Sequence, residues 1–401
     1  MSEKEDKKKY SSKDKDDFEE EFEDEKGVGN DEEDFESGFN RRAARQDFFA
    51  FINRYIFLGI LFLIIIIFFL ANFSFVSNFF KSLPQNTTSV ENVCGDGTKF
   101  TYCSVRIPYF CENGELIEQA FVCPCPDGFY SSRDKCISEF NTGAKNVSFN
   151  YTLRGVNDSI NLTLYSGMYK YFSGLPAVYS TGVGNTLSRG EYKLEKINEV
   201  TQAKFLSSLV VAIQNKAKDK DDQVRIAISL VQNIPFKESN KRVQISKSIS
   251  VLYTRYPYET LYENSGICGE KSELLAYLLE ELGYGVVLFE YSSVNHEAVG
   301  ISCPIEYSLN ESGYCFVETT APSIISNNKN EYYGVGSLEK VPFEILPISK
   351  GNSLREDLDE YEDSIDWNKI QSLVKAGRSL TRGQMILREN LIEKYGMSAF
   401  Y

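Results

Sequence analysis

Two residues in the second half of the chain, Cys268 and His296, have side chains that could cooperate in thiol chemistry. His296 is the only histidine among 401 residues, and Cys268 is the cysteine that remains when the other eight are assigned to pairs. A cysteine beside a histidine can act as a nucleophile, because the imidazole takes the proton of the thiol. An unpaired cysteine can also be an intermolecular link or a buried bystander, and a lone histidine is more often structural than catalytic.

The sequence around these two residues predicts a helix followed by three strands. Between residues 268 and 282 the apolar residues recur at helical spacing, and Gly283 is a natural helix stop. Turn-forming residues 264–266 come directly before Cys268, which is therefore predicted to lie in the first helical turn. There the helix dipole and the unpaired N–H groups favour a thiolate. The predicted strands cover residues 285–291, 296–302 and 314–319, so that His296 opens the second strand.

The cysteines predict a disulfide-bonded module. Six of the nine fall within 43 residues: Cys94, Cys103, Cys111, Cys123, Cys125 and Cys136. Since this block lacks apolar residues for a core of its own, we expect residues 90–138 to depend on disulfides. A zinc site is the alternative, but the block has no histidine and no paired CxxC motifs. Cys303 and Cys315 flank a turn-rich loop, where a further disulfide would leave Cys268 as the one free thiol.

An uncharged stretch at residues 55–76 predicts a transmembrane helix within residues 48–77. As an α-helix it would extend about 33 Å, enough for a hydrocarbon core of about 30 Å. Four arginines within residues 41–54 precede it, so the positive-inside rule places the N-terminus in the cytoplasm and residues 77–401 outside the cell. The predicted location is the cell membrane, with a single pass that contacts membrane lipid through residues 55–76.

The net charge of −14 is concentrated at the N-terminus. Residues 1–47 hold 18 acidic side chains against 10 basic ones, which predicts a disordered acidic tail on the cytoplasmic side. The rest of the chain has only a mild surplus of acid, and this argues against nucleic-acid binding. No phosphate-binding glycine loop and no cluster of metal-ligating residues occurs in the sequence, so neither a cofactor nor a metal is expected.

Two other regions have a predicted structure but no functional motif. Residues 146–175 alternate apolar and polar side chains around a turn at 155–158, which predicts a β-hairpin within residues 145–190. Residues 353–401 are charged and show weak helical periodicity from 367 to 395, which predicts a separate helical segment.

The order of the motifs around Cys268 and His296 resembles that of the transglutaminase-like superfamily of cysteine hydrolases and acyltransferases. The similarity covers roughly residues 200–345 and includes the strings DDQVRIAISLVQNIPF, GICGEKSELLAYLLEELG, NHEAVGI and CFVETTAP; it is similar above all to archaeal membrane-anchored members. The resemblance implies an α+β, papain-like fold for residues 195–350. It also implies Cys268 as nucleophile, His296 as general base and acid, and Glu318, where the family usually has Asp, as the group that orients the imidazole.

The triad implied by this resemblance requires a particular register between the last two predicted strands. If Cys303 lies directly opposite Cys315, Glu318 pairs with Gly300 and is about four residues, roughly 13 Å, from His296 along the strand. A β-bulge or an off-register disulfide would close that gap.

The end of the cysteine-rich block, CPCPDGFYSSRDKC, resembles the end of an epidermal-growth-factor-like module. That second resemblance implies three disulfides, which pair Cys94 with Cys111, Cys103 with Cys123, and Cys125 with Cys136.

These features predict a membrane-anchored, outward-facing thiol enzyme, a peptidase or an acyltransferase, that acts on amide or peptide bonds of a protein or peptide at the cell surface. The alternative is a binding or scaffold protein that has kept the fold and lost turnover. Cys268 and His296 favour the enzyme. The glutamate at position 318, where the family usually has Asp, and the strand register that it would need favour the alternative.

Overall fold

The computed structural model describes residues 92–175, 188–244, 250–325, 331–338 and 341–401, and these residues belong to one compact unit. They form a mixed α+β fold. The predicted tail at 1–47 and the predicted span at 55–76 lie outside the described residues. Within the described ranges, no helix is both long enough and apolar enough to cross a membrane.

The cysteine-rich block is held by disulfides and short hairpins. Its strands are β1 (Tyr109–Glu112), β2 (Glu115–Glu118), β3 (Tyr130–Ser132) and β4 (Lys135–Ile137), paired β1 with β2 and β3 with β4. The disulfides are Cys94–Cys111, Cys103–Cys123 and Cys125–Cys136, so the three predicted pairings are confirmed. The predicted Cys303–Cys315 disulfide is also present, and Cys268 is the free cysteine.

A long hairpin follows, made of β5 (Ala144–Leu153) and β6 (Val156–Tyr165). Its turn is Arg154–Gly155, so the turn predicted at 155–158 was placed too late. Both turn residues have positive φ, +52° and +82°, a backbone twist that matches the twist of a two-residue hairpin. Alternate side chains of both strands are buried, as predicted, and helix α1 (Ser166–Ser173) begins directly after β6.

Helices then form the centre of the unit. They are α2 (Arg189–Ile197), α3 (Val200–Lys216), α4 (Lys220–Asn233), α5 (Pro257–Glu263) and α6 (Cys268–Glu281). Between α4 and α5 in the chain, β7 (Arg242–Gln244) pairs antiparallel with β8 (Ser250–Leu252). The main hydrophobic core includes residues of α3, α4, α5 and α6. Helix α6 begins at Cys268, as predicted, and ends one residue before the predicted Leu282; Gly283 follows with φ +92°.

The sheet that carries His296 is antiparallel throughout. After β9 (Val286–Tyr291) come β10 (His296–Ser302), β11 (Tyr314–Val317), a small hairpin of β12 (Glu331–Tyr332) and β13 (Gly336–Ser337), and β14 (Glu344–Ser349). The four longer strands lie in the order β11-β10-β9-β14, and α6 packs on β9 and β10. Strand β10 has its predicted bounds, while β11 ends two residues before the predicted Thr319, and the chain bends at Thr320 and Ala321.

The C-terminal region contains α7 (Asp359–Lys375) and α8 (Arg382–Lys394), within the stretch predicted to be helical. It is packed on the same unit. Arg225 of α4 contacts Glu360 at 2.6 Å, and Tyr361 belongs to the main core. The predicted limit at residue 350 therefore does not separate two compact units in the described part of the chain.

Candidate active site

Cys268 is the first residue of α6 and is partly exposed. At this position its backbone N–H has no partner within the helix and is available to a ligand. The turn before it is closed by Glu270, whose carboxylate accepts the Ile267 N–H at 3.0 Å. Glu270 in turn receives the backbone N–H and the guanidinium of Arg255, each at 2.8 Å. The helix terminus that presents the thiol is thus fixed by a buried ion pair.

Two further polar residues of the same helix connect Cys268 to neighbouring elements. Lys271 is fully buried and donates to three backbone carbonyls, which are described below. The hydroxyl of Ser272 donates to the Glu297 carbonyl at 3.2 Å and lies 3.1 Å from the Thr319 hydroxyl. The Thr319 hydroxyl in turn donates to the Cys268 carbonyl at 3.4 Å. The residues of the CGEKS string therefore join the helix terminus to β10 and to the turn after β11.

His296 is the first residue of β10 and is 6% exposed. It follows a 3-10 turn, Ser292–Val294, and Asn295, which takes the left-handed conformation with φ 49°. Its Nε2 lies 2.8 Å from Oε2 of Glu318, and Cys268 acts on the same ring, since it is among the groups that raise the His296 pKa. Because Nε2 is engaged by the carboxylate, Nδ1 is the nitrogen left for the thiol.

Glu318 reaches His296 because the Cys303–Cys315 disulfide is off-register. Cys315 lies opposite Ile301, whereas the backbone N–H of Cys303 donates a hydrogen bond to the Gly313 carbonyl. Continuing the observed pairing by one step would put Glu318 opposite Ala298, two residues from His296 on the same face of the sheet. Directly opposed cysteines would leave Glu318 four residues from His296 along the strand. The observed register reduces this separation to two residues.

The carboxylate of Glu318 is held in place by its own turn. Oε1 accepts the backbone N–H groups of Thr319 at 3.0 Å and Thr320 at 2.8 Å, and it also accepts the Thr320 hydroxyl. These donors leave Oε2 directed at His296. The structure therefore brings together the three residues that the sequence analysis selected.

The charges of this group are coupled. Burial of His296 disfavours its charged form, but hydrogen bonds to Cys268 and Glu318 and the charges of those groups outweigh burial and raise the His296 pKa to about 10. Burial of Glu318 acts in the opposite direction to its hydrogen bonds with His296 and Thr320, which prevail and hold the Glu318 pKa below its ordinary value. At neutral pH the pair is an imidazolium beside a carboxylate.

No protein-family model and no curated protein matches this sequence. Among solved structures, calcium-bound LapG of Legionella pneumophila matches with 14% identity and a TM-score of 0.25, covering 43% of this chain and 98% of that chain. A candidate protease of Parabacteroides distasonis matches with 14% identity and a TM-score of 0.22, covering 47% of this chain and 41% of that chain. Both TM-scores are too low to bear on the fold or the function of this chain.

Several residues that build the site were not selected from the sequence. Arg255, Lys271 and Gln232 are buried polar residues, and each bonds to the segment that carries one of the three selected residues. The sequence contained an indication for Lys271, because this lysine lies on the same apolar face of α6 as Leu274 and Leu278. A lysine on such a stripe is expected only where its ammonium finds acceptors in the core.

The raised pKa of His296 predicts a stability contribution that depends on pH. An unfolded histidine titrates near pH 6.5, so this contribution is fully present below about pH 6.5 and is lost as the pH rises through about 10. We expect His296→Gln to reduce the free energy of unfolding most near pH 6.5, and to reduce it less as the pH approaches 10. Urea denaturation over this pH range measures it. A loss that does not vary with pH would contradict the ion pair, since no other histidine is present.

Proposed function

We propose that this chain is a transglutaminase-like thiol enzyme, a peptidase or an acyltransferase, that acts on amide or peptide bonds through Cys268, His296 and Glu318. The observation that carries the proposal is the 2.8 Å contact between the His296 imidazole and the Glu318 carboxylate, with Cys268 acting on the same ring. The thiol is partly exposed, whereas the imidazole and the carboxylate are buried. A nucleophile open to substrate with a sheltered base and orienting group is the arrangement that covalent catalysis needs.

The first half of the reaction acylates the cysteine. The Cys268 sulfur attacks the carbonyl carbon of the substrate, a C–S bond forms, and the carbonyl π electrons move to oxygen. The N–H of Cys268 at the helix N-terminus can donate to that oxyanion. When the oxyanion collapses, the C–N bond breaks and the imidazolium of His296 gives its proton to the leaving amine. The products are a thioester on Cys268 and a free amine.

The second half releases the acyl group. Neutral His296 takes a proton from water or from an acceptor amine, whose oxygen or nitrogen attacks the thioester carbon. The C–S bond breaks, and the thiolate and the imidazolium are restored. Glu318 stays ionised throughout; it orients the ring and stabilises the positive charge that His296 carries in the resting state.

Labelling with a thiol-directed electrophile tests the proposal. Without reductant the eight other cysteines are in disulfides, so Cys268 is the target and Cys268→Ser is the blank. At neutral pH we expect His296→Ala to slow the labelling by about tenfold or more, because an ordinary thiol is only a few per cent ionised there. Equal rates in wild type and His296→Ala would remove the basis for an activated nucleophile.

We also propose that residues 55–76 anchor the protein in the membrane with residues 77–401 outside. The uncharged stretch and the arginines before it support this, as do the four disulfides, which persist in oxidising surroundings. Protease added to intact cells is then expected to cut beyond residue 80 and to spare residues 1–47. An epitope tag at each end would show which part is lost. Removal of the N-terminal tag from outside would reverse the proposed orientation.

A further inference from the structure

Lys271 lies one turn after Cys268 on α6, and its side chain is fully buried. Its Nζ donates to the backbone carbonyls of Gln232 at 3.2 Å, Ile234 at 2.6 Å and Thr320 at 3.1 Å. A lysine ammonium has three N–H donors and no acceptor, so three carbonyls match the charged form of the side chain. The three carbonyls therefore form a binding site for one cation, and the ammonium of Lys271 is that cation.

The three carbonyls belong to two different elements. Gln232 and Ile234 are at the C-terminal end of α4, where backbone carbonyls lack helical partners and attract positive charge. Thr320 belongs to the turn after β11, and its N–H and hydroxyl both donate to Oε1 of Glu318. A continuous path therefore runs from Lys271 through Thr320 and Glu318 to His296.

A second contact ties the same turn to α4. The side-chain amide of Gln232 donates to the backbone carbonyl of Glu318 at 2.9 Å. The turn that carries Glu318 is thus attached to α4 through Gln232 and to both α4 and α6 through Lys271. Unlike Gln232, Lys271 can also carry a positive charge.

The ionisable groups that act on Lys271 are Glu318 from the turn and Cys268 from its own helix; the groups that face it from α4 are neutral carbonyls. Burial lowers the Lys271 pKa to about 7, against the favourable charges of Glu318 and Cys268. At neutral pH the side chain is therefore close to the midpoint of its titration, and the three carbonyl contacts favour its charged form against the cost of desolvation.

We propose that Lys271 is a positioning residue that holds the Glu318 turn so that the carboxylate faces His296. The proposal rests on the proposed function and deepens it, because it assigns the alignment of the third member of the triad to a lysine of the nucleophile's own helix. Without the ammonium, the Thr320 carbonyl loses its donor in the core and the turn is free to move away from the imidazole.

The sole histidine makes this testable without measuring catalysis. In protein without a histidine tag, the imidazole resonances in an NMR titration come from His296. We expect K271M to lower the His296 pKa by about one unit or more, because a carboxylate that moves away no longer stabilises the imidazolium. Loss of the lysine charge alone would act in the opposite sense, since like charges repel. The direction of the shift therefore separates positioning from a through-space charge effect.

The matched control is K196M. Lys196 is also buried, and it pairs with Glu273 of α6 at 2.6 Å without a contact to the Glu318 turn in the described structure. We expect K196M to leave the His296 pKa near that of the wild type, and K271R, which keeps charge and donors, to fall between wild type and K271M. If K271M does not fold, K271Q replaces it, since the amide keeps two N–H donors without the charge.

A His296 pKa that K271M leaves unchanged, or raises, would overturn the proposal. The proposed enzyme function fails by a different result, namely equal labelling rates in wild type and His296→Ala. Because the NMR titration needs no substrate and no turnover, the two failures can be told apart.

Discussion

Replacing His296 with alanine is expected to reduce turnover by about 10²–10⁴-fold, which corresponds to ~3–5 kcal/mol of activation barrier. The imidazole shares the proton of Cys268 and later protonates the leaving amine, so its loss acts on the chemical steps. We therefore expect the effect mainly in kcat, with a smaller change in KM. Steady-state kinetics with an amide or peptide substrate that the wild type processes would measure it.

Two further variants give the expected order. Cys268→Ala should be at least as severe as His296→Ala, because it removes the atom that forms the thioester. Glu318→Gln should be milder than either, since it keeps the shape of the side chain and removes only its charge and part of its hydrogen bonding. A Glu318→Gln variant more damaging than His296→Ala would contradict the roles assigned here.

Arg255→Met is expected to lower the free energy of unfolding by about 3–5 kcal/mol. Arg255 is 2% exposed, and its guanidinium contacts Glu270 and Glu263, each at 2.8 Å. Glu270 is itself 2% exposed, so removing the guanidinium leaves a buried carboxylate without its cation. Desolvation of that unpaired charge, more than the loss of attraction, produces the expected cost. Urea denaturation at neutral pH measures it.

Arg154→Met is the matched control. It removes the same kind of side chain from an ion pair with Asp222 at 2.9 Å, but the Arg154 side chain is 53% exposed. Water replaces the lost partner there, and we expect a change of about 1 kcal/mol or less. Similar losses in the two variants would show that burial of Glu270 does not determine the cost.

Local features of the sequence determined the elements that carry the site. Helical spacing of leucines and the glycine after them predicted α6 to within one residue, and β10 has its predicted bounds. These predictions succeed because periodicity, helix stops and turn residues act over a few neighbouring positions. The hairpin turn was placed two residues too late, because Arg154 has no special turn chemistry and the positive φ there follows from the pairing of β5 with β6.

Whether Glu318 could reach His296 was decided by tertiary structure. The spacing of Cys303 and Cys315 allows both a directly opposed and an off-register disulfide, and these differ by two residues in the position of Glu318. The observed register places Phe316 in contact with Phe289 and Tyr291 of β9, a packing that involves residues far apart in the chain. Register in a sheet follows from which faces are buried, and that is not a local property.

The partners that hold the site are also distant in sequence. Lys271 bonds to residues 37, 39 and 49 positions away, and its role depends on carbonyls that α4 and the Glu318 turn leave free only when they pack together. By itself the sequence determined which residues could do thiol chemistry, which element each begins, and that eight of the nine cysteines pair. Only the tertiary structure decided that the carboxylate faces the imidazole and that a buried lysine supports its turn, because burial and hydrogen-bond geometry arise when separate elements come into contact.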